Sequence, residues 1–272
     1  MRRLLIRLGG IGDCILSLPA LEFLQANYTE IWTTQSVVPL IRFADRVRSI
    51  TSTGLDLVGL PGVDPPPGTL EQLRSFDSIV SWYASNRAEF REHVAKLDLP
   101  FQFLPALPSP DGRMHAADFF LAQAGCSGRA IPKISCPAVP RTDFAVIHPF
   151  SGSPRKNWPL ERFRELAERL PFPVEWCAGP EEELAGAVRF TDLYELACWL
   201  ATARIYIGND SGITHLAAAV GVPVAAIFGP SDPVVWAPRG DRVFVIVGKP
   251  AGKLEEITVE QVLDQVCELL RR

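Results

Sequence analysis

The sequence predicts an α/β protein of two domains, each with a mainly parallel sheet, facing each other across a cleft. Both halves of the 272 residues alternate short apolar runs with helical patterns. The apolar runs are continuous, as in strands that are buried on both faces. A segment rich in Pro, Ser and Gly, residues 126–141, lacks a periodic pattern and separates the halves. We therefore expect domains at 1–138 and 139–272.

The first half begins with a strand at 2–8, a glycine-rich turn at 9–13 and a helix with apolar residues at helical spacing. Two more strands are expected at 30–34 and 78–83. The remaining helices of this half are expected at 36–44, 86–98 and 115–125, the last of them ended by glycine.

The second half continues the alternation, and a parallel sheet of this kind binds ligands at the carboxyl ends of its strands. We expect strands at 144–150, 173–180, 204–210, 223–230 and 241–248. The helices are expected at 160–170, 192–203, 211–221 and 258–272.

Composition excludes several classes of protein. Hydrophobic residues make up 47% of the chain, which allows a large core. The net charge of -4 provides no broad basic surface for nucleic acid. Six cysteines without a CxxC pair suggest neither zinc nor disulfides, so we expect reduced thiols in a cytosolic protein. No apolar stretch has the length of a membrane span, and the first residues read as a strand rather than a signal peptide.

The stretch "YIGNDSGITHL" places polar residues where a strand meets a helix. The free N–H groups and the dipole of such a helix start attract a pyrophosphate. Gly212 would leave room for it, while Ser211, Thr214 and His215 would donate hydrogen bonds. Asp210 would hold hydroxyls of an attached sugar, because a carboxylate repels phosphate. Simple capping of the helix is the alternative.

A second polar loop, "HPFSGSPRKNWP", follows the strand at 144–150. Ser151, Gly152 and Ser153 combine small size with hydroxyl groups, and the cations Arg155 and Lys156 come next. Such a loop suits phosphate oxygens, although an ordinary surface loop has the same composition. Two loops of this kind at one sheet edge favour a phosphate site.

The loop "LGGIGD" carries one carboxylate, Asp13, near a helix start. Its glycine spacing is not G-x-G-x-x-G and no P-loop lysine follows, so the nucleotide signature is absent. Asp13 is either a helix cap or, if it faces the other domain, a general base.

Three glutamates follow the strand at 173–180 in "CAGPEEE". One of them could hold ribose hydroxyls, or all three could serve only the helix dipole. We take Glu182 as the representative of the three, and Glu181 and Glu183 stay open.

The segments "RLGGIGDCILSLPAL", "HPFSGSPRKNWPLERFRELAERL" and "GNDSGITHLAAAVGVPVAAIFGPSDPVVWAPRG" resemble, in this order, the signatures of glycosyltransferase family nine. This family comprises the heptosyltransferase-like enzymes of lipopolysaccharide core assembly. The resemblance implies the GT-B fold of two Rossmann-like domains and an inverting transfer without metal or other cofactor. It also implies a nucleotide-sugar donor, typically ADP-heptose, in the second domain and a glycan acceptor at the first.

The resemblance assigns roles by position. Asp13 matches the catalytic base, and Lys156 matches the lysine near the donor phosphates. Asp210 matches the acid that holds the donor sugar. The surrounding donor site would include Ser151, Ser153, Ser211, Gly212 and His215. The chain is shorter than is usual for the family, in the middle of the first half and between Glu183 and Asp192, which affects the acceptor site and the adenosine pocket.

A lipid-linked acceptor would bring the protein into transient contact with the inner membrane surface from the cytoplasm. Two other functions fit the same features: a degenerate protein that binds nucleotide sugars without transferring them, and a sugar-nucleotide epimerase or hydrolase of the same architecture. An NAD-dependent dehydrogenase is disfavoured by the glycine spacing.

Overall fold

The computed structural model describes residues 1–60, 62–248 and 253–271. Within these ranges the chain forms two five-stranded sheets, and every strand pairing is parallel. The first sheet has the order β3-β2-β1-β4-β5 and the second the order β10-β9-β8-β6-β7. Both are the open sheet orders of doubly wound nucleotide-binding folds.

The first domain supplies the strands β1 to β5 and the helices α1 to α4. The strands are β1 (Arg2–Arg7), β2 (Tyr28–Thr33), β3 (Arg46–Ser49), β4 (Ser78–Ser81) and β5 (Phe101–Phe103). The helices are α1 (Ile11–Phe23), α2 (Thr69–Arg74), α3 (Ala88–Lys96) and α4 (Ala116–Gln123).

The second domain continues with β6 to β10 and α5 to α9. Its strands are β6 (Ala145–His148), β7 (Val174–Trp176), β8 (Ile205–Asn209), β9 (Val224–Phe228) and β10 (Val243–Val247). Its helices are α5 (Leu160–Arg169), α6 (Leu193–Thr202), α7 (Gly212–Ala219), α8 (Pro233–Trp236) and α9 (Val259–Arg271). Arg272, the last residue of the predicted terminal helix, lies outside the described residues.

Side chains alternate between the two faces of each central strand, and both faces are buried. In β1, Leu4 and Ile6 join one apolar cluster, whereas Leu5 joins another. In β8, Tyr206 joins the same cluster as Leu5. This cluster therefore runs from the first domain into the second, and it fixes how the two sheets sit relative to each other.

Several elements differ from the sequence-based expectation, and among them the short helices α2 (Thr69–Arg74) and α8 (Pro233–Trp236) were not predicted. The predicted helix at 36–44 is a 3-10 turn over Gln35–Leu40, since Pro39 lacks the N–H that a helix interior requires. The strand Arg46–Ser49 was not predicted, because two of its four residues are arginines. The strand Phe101–Phe103 was not predicted either, because three residues are too few for a pattern. The proline- and glycine-rich run "PGVDPPPG" at 61–68 predicts a loop, and its first residue, Pro61, lies outside the described residues.

Residues 124–144, all of them described, contain neither a helix nor a strand. This segment already packs on the second domain before residue 139, because the Ile134 N–H donates to the Ala219 carbonyl at 2.9 Å. Arg239 also pairs with Asp118 of α4. The boundary at 138/139 stays a prediction. No helix in the described part of the chain is long and apolar enough to cross a membrane.

Candidate functional site

The site lies where the two sheets present their topological switch points to each other. In the first sheet β1 lies between β2 and β4, and in the second β6 lies between β7 and β8. The loops that follow β1, β6 and β8 all open into the crevice outside the carboxyl ends of the strands, where such sheets bind ligands. Three of the four polar motifs singled out in the sequence occupy these loops, and the fourth, "CAGPEEE", follows β7.

These loops line one cavity of about 690 Å³, within the usual range for small-molecule sites. Both domains contribute to its wall. The lining includes Gly10, Gly12, Asp13 and Leu107 from the first domain, and His148, Ser151, Gly152, Ser153, Lys156, Glu182, Asp210, Ser211, Gly212, His215 and Trp236 from the second.

Asp13 caps its helix and lines the cavity at the same time. Its Oδ2 accepts a hydrogen bond from the Gly10 N–H at 3.2 Å in the first turn of α1. Gly9 has a φ of 152°, and a Cβ there would stand 3.0 Å from the Asp13 Cβ. The glycine thus allows the loop to pass directly over the carboxylate, which leaves Asp13 within reach of a ligand.

Lys156 and Asp210 form an ion pair across the switch point of the second sheet. Lys156 Nζ lies 2.7 Å from Asp210 Oδ2, and Asp210 is only 6% exposed. Asn209 holds the two loops together, because its Oδ1 accepts from the Trp158 N–H at 2.9 Å and its Nδ2 donates to the Pro149 carbonyl at 2.8 Å. The cation therefore has a fixed place at the cavity wall.

The start of α7 is capped from within. Ser211 Oγ accepts from the Thr214 N–H at 3.3 Å. Thr214 is completely buried, and its hydroxyl donates to the Asn209 carbonyl and lies 3.2 Å from the Tyr206 hydroxyl. The predicted donation from Thr214 to a ligand does not agree with this placement, since the hydroxyl supports the loop from behind.

Gly212 lies against the first domain. A Cβ there would come within 2.7 Å of the Ile11 Cβ and 3.1 Å of the Gly12 nitrogen. The space beside Gly212 was predicted to admit a ligand, but the neighbouring helix α1 occupies it. The helix starts of α1 and α7 consequently meet, and both border the cavity.

His215 packs against Gly12 in the same junction, where a Cβ on Gly12 would lie 2.9 Å from the His215 Cδ2. Burial lowers the pKa of His215 to about 4, although the negative charge of Asp210 opposes this shift. The ring is neutral at physiological pH, and its buried Nδ1 has no hydrogen-bond partner among the described residues. It can donate or accept one hydrogen bond but carries no charge toward a phosphate.

The loop after β6 is ordered by its own hydroxyl groups. Ser151 Oγ lies 2.8 Å from the Ser153 carbonyl and 2.7 Å from Asn157 Oδ1. A Cβ on Gly152 would meet nothing within 4 Å. No neighbouring atom of the described residues thus requires a glycine at this position. The open space beside Gly152 is part of the cavity that this residue lines.

Glu182 is the glutamate of the "EEE" run that reaches the cavity wall. Its Oε2 accepts from the Gly179 N–H at 2.6 Å and from His148 Nε2 at 3.0 Å. Burial raises the pKa of Glu182, but these two hydrogen bonds outweigh it, so the net shift is downward. The carboxylate is ionised and held in place, with Oε2 turned to the protein.

Two residues of this site had no role in the sequence analysis. His148 ends β6 and orients Glu182, and Asn209 ends β8 and joins the loops that carry Lys156 and Asp210. The available signal was a polar residue at the carboxyl end of a continuous apolar strand. The partner of His148 is 34 residues away in the sequence, and the nearer partner of Asn209 is 51 residues away. The sequence pattern therefore could not predict these contacts.

Comparison with known proteins points to one family. Residues 174–266 match the model of glycosyltransferase family 9 (heptosyltransferase). Lipopolysaccharide heptosyltransferase 1 of Pseudomonas aeruginosa is 36% identical over 93 residues, which are 29% of this chain and 26% of that protein. The matches to curated relatives span less than half of the length of those proteins.

The fold comparison extends over the whole chain. The Escherichia coli ADP-heptose lipopolysaccharide heptosyltransferase II superposes with a TM-score of 0.78 at 17% identity, covering 100% of this chain and 99% of that one. The E. coli heptosyltransferase WaaC, solved with ADP-2-deoxy-2-fluoro heptose, has a TM-score of 0.70 at 18% identity and covers 98% and 99% of the two chains. These comparisons confirm the predicted GT-B fold. The sequence matches in the second domain also confirm the resemblance to glycosyltransferase family nine.

Proposed function

We propose that the protein is an inverting, metal-independent glycosyltransferase. It moves a heptose from ADP-heptose to a hydroxyl group of a lipopolysaccharide-type glycan. One observation carries the proposal: a carboxylate of the first domain, Asp13, shares a single cavity with the Lys156–Asp210 pair of the second domain. A base and a diphosphate site on opposite walls are what sugar transfer between two bound substrates requires.

The donor would lie along the second domain. Glu182 would accept hydrogen bonds from the ribose hydroxyls through its Oε1, since Oε2 is taken by the protein. The diphosphate would lie between the loop at 151–153 and the start of α7, close to Lys156. Asp210 would both orient Lys156 and accept from the heptose hydroxyls.

Transfer would proceed by a single displacement. Asp13 takes the proton from the acceptor hydroxyl as its oxygen forms a bond to the anomeric carbon. The bond from that carbon to the diphosphate breaks, and ADP leaves with the electron pair. Attack and departure on opposite faces invert the configuration. Lys156 and the N–H groups of α7 stabilise the charge that builds up on the diphosphate.

A fixed ammonium group and a helix start can take the place of a divalent ion, and metal independence rests on this argument. The relatives support the donor, because one solved structure contains an ADP-heptose analogue and the curated matches are heptosyltransferases of lipopolysaccharide and lipooligosaccharide. The acceptor would approach from the first domain, and a lipid-linked acceptor would bring the protein to the inner membrane surface.

The test incubates the protein with ADP-heptose in the presence of EDTA, once with and once without deacylated lipopolysaccharide core. ADP, the heptose-extended core and any free or isomerised sugar are then quantified. The proposal expects ADP release that depends on the acceptor. ADP release without acceptor would indicate a hydrolase, and an isomerised donor would indicate an epimerase. Donor binding without any turnover across core acceptors would indicate a degenerate binding protein.

A further inference from the structure

Arg7 is a buried cation directly behind the base-bearing turn. It ends β1, is only 2% exposed, and is among the largest fully buried side chains of the protein. In the sequence, Arg7 interrupts the apolar run of the predicted strand at 2–8 and looks like a flanking residue of that strand. Its guanidinium stands 4.4 Å from the centre of the Phe120 ring on α4.

Its hydrogen bonds join three separate pieces of backbone. Nη1 donates to the carbonyls of Leu8 at 3.1 Å and Ala106 at 3.2 Å, and Nη2 donates to the Asp13 carbonyl at 3.3 Å. Leu8 belongs to the glycine-rich loop, and Ala106 precedes Leu107, which lines the cavity on the first-domain side. One rigid guanidinium thus sets the distance between the first turn of α1 and the backbone at Ala106–Leu107. This first-domain side of the cavity is called the acceptor-side wall.

The charge of Arg7 is not neutralised by an ion pair. No carboxylate within residues 1–60, 62–248 and 253–271 lies within salt-bridge distance of it. Burial lowers the pKa of the guanidinium, while Cys14 and Asp13 act in the opposite direction through their charges. A buried cation without a paired carboxylate attracts any nearby negative charge strongly.

We propose that Arg7 is a positioning residue for the transfer reaction: it fixes Asp13 against the acceptor-side wall at Ala106–Leu107. This inference rests on the proposed function, because it assumes that Asp13 is the base. Its effect is on the chemical step and on acceptor placement, since its hydrogen-bond partners all belong to the first domain.

Other charged and titratable groups lie on α1 and on the helices that pack against it, α4 and α7. Cys14 lies on α1 itself, His115 and Asp118 lie on the packed helix α4, and His215 lies on α7. Lys156 and Asp210 face Asp13 across the cavity. Asp118 is paired with Arg239, and Lys156 is paired with Asp210. Arg7 is therefore the cation of the first domain that can act on Asp13 from behind.

The experiment compares Arg7→Met, Arg7→Lys and the control Arg3→Met, all by steady-state kinetics with ADP-heptose and deacylated core. Arg3 lies on the same strand, but its guanidinium donates to the Leu24 carbonyl, away from the cavity. Arg7→Met should lower kcat about 10- to 100-fold, as misplacement of a catalytic group does, with donor KM within about twofold of wild type. Arg7→Lys should recover part of kcat, and Arg3→Met should match wild type.

Unchanged kcat in folded Arg7→Met would overturn the inference. If that variant does not fold, Arg7→Lys decides: a lower kcat at unchanged donor KM supports the inference, and wild-type kcat overturns it. Asp13→Asn separates the two proposals. If Asp13→Asn is inactive while both Arg7 variants behave as wild type, only this inference fails; if Asp13→Asn is fully active, the assigned base fails.

Discussion

Lys156 Nζ and Asp210 Oδ2 lie 2.7 Å apart, with each residue on a different loop of the second domain. The loops follow β6 and β8, which are neighbours in the sheet although 56 residues lie between the last residue of β6 and the first residue of β8. The pair thus marks the switch point of this sheet, and it presents a cation at the cavity wall. An ammonium group has three donors, so Lys156 can keep Asp210 and still reach a phosphate oxygen.

Replacement of Lys156 by alanine should weaken both donor binding and turnover. The variant loses the cation that faces the diphosphate and leaves Asp210 buried without its partner, so we expect kcat to fall about 100-fold, as with loss of one charge-stabilising donor. Thermal shifts with ADP measure the binding, because a ligand specific for the native state raises Tm. Wild-type ADP shifts and turnover in Lys156→Ala would contradict the diphosphate assignment. The nearby Arg155→Ala is the control.

Two glycines of the cavity wall should differ in how replacement by alanine changes the free energy of unfolding. Gly212→Ala places a methyl group 2.7 Å from the Ile11 Cβ, so the unfolding free energy should fall by about 1–3 kcal/mol, as in overpacked interfaces. Urea titration measures this change. Unaltered stability in Gly212→Ala would show that the two helix starts do not pack as described.

Gly152→Ala should leave the free energy of unfolding within about 0.5 kcal/mol of wild type, because no atom of the described residues lies within 4 Å of the added methyl group. Its KM for the donor should nevertheless rise severalfold, since the methyl group enters the space assigned to phosphate oxygens. Donor kinetics check this expectation. An unchanged KM would remove the loop at 151–153 from the donor site.

Acid should destabilise the protein through its buried histidines. The pKa of His215 is about 4 in the folded chain against an ordinary value of 6.5, so between these values the unfolded chain binds a proton that the native state does not. The contribution of neutral His215 to the free energy of unfolding is therefore fully present above pH 6.5 and decreases as the pH falls toward 4. From this group we expect a loss on the order of 2 kcal/mol between pH 7.5 and pH 5. Burial lowers the pKa of His115 as well, which adds in the same direction.

Urea titrations at the two pH values compare the wild type with His215→Gln. The pH dependence should be flatter in the variant, because glutamine does not titrate. Equal slopes in His215→Gln and wild type would mean that His215 titrates normally.

The local chemistry of this site could be predicted from sequence, whereas its long-range contacts could not. Glycines and polar residues after an apolar strand indicate a ligand loop, because the strand, the turn and the helix start are all encoded within about fifteen residues. That reasoning located Asp13, Lys156 and Asp210 in loops that meet. It could not tell whether Gly212 makes room for a ligand or for Ile11, since the answer depends on a helix 200 residues earlier.

Arg7 and Thr214 illustrate the same limit. Arg7 stands in an apolar strand, and its burial depends on the carbonyl of Ala106, 99 residues later. Thr214 is three residues from the cap it supports, yet the Tyr206 hydroxyl and the Asn209 carbonyl decide which way its side chain faces. Patterns of residue type indicate where a site lies, and packing decides which of its side chains face the ligand.

The central claim is that Asp13 of the first domain deprotonates an acceptor bound opposite the diphosphate site. Single-turnover transfer by Asp13→Asn, measured with ADP-heptose and deacylated core, tests it most directly. The amide keeps the size of the carboxylate but cannot take the proton, so the rate should fall about 100- to 10,000-fold while the Tm increase caused by ADP stays at the wild-type value. Transfer by Asp13→Asn at the wild-type rate would contradict the account.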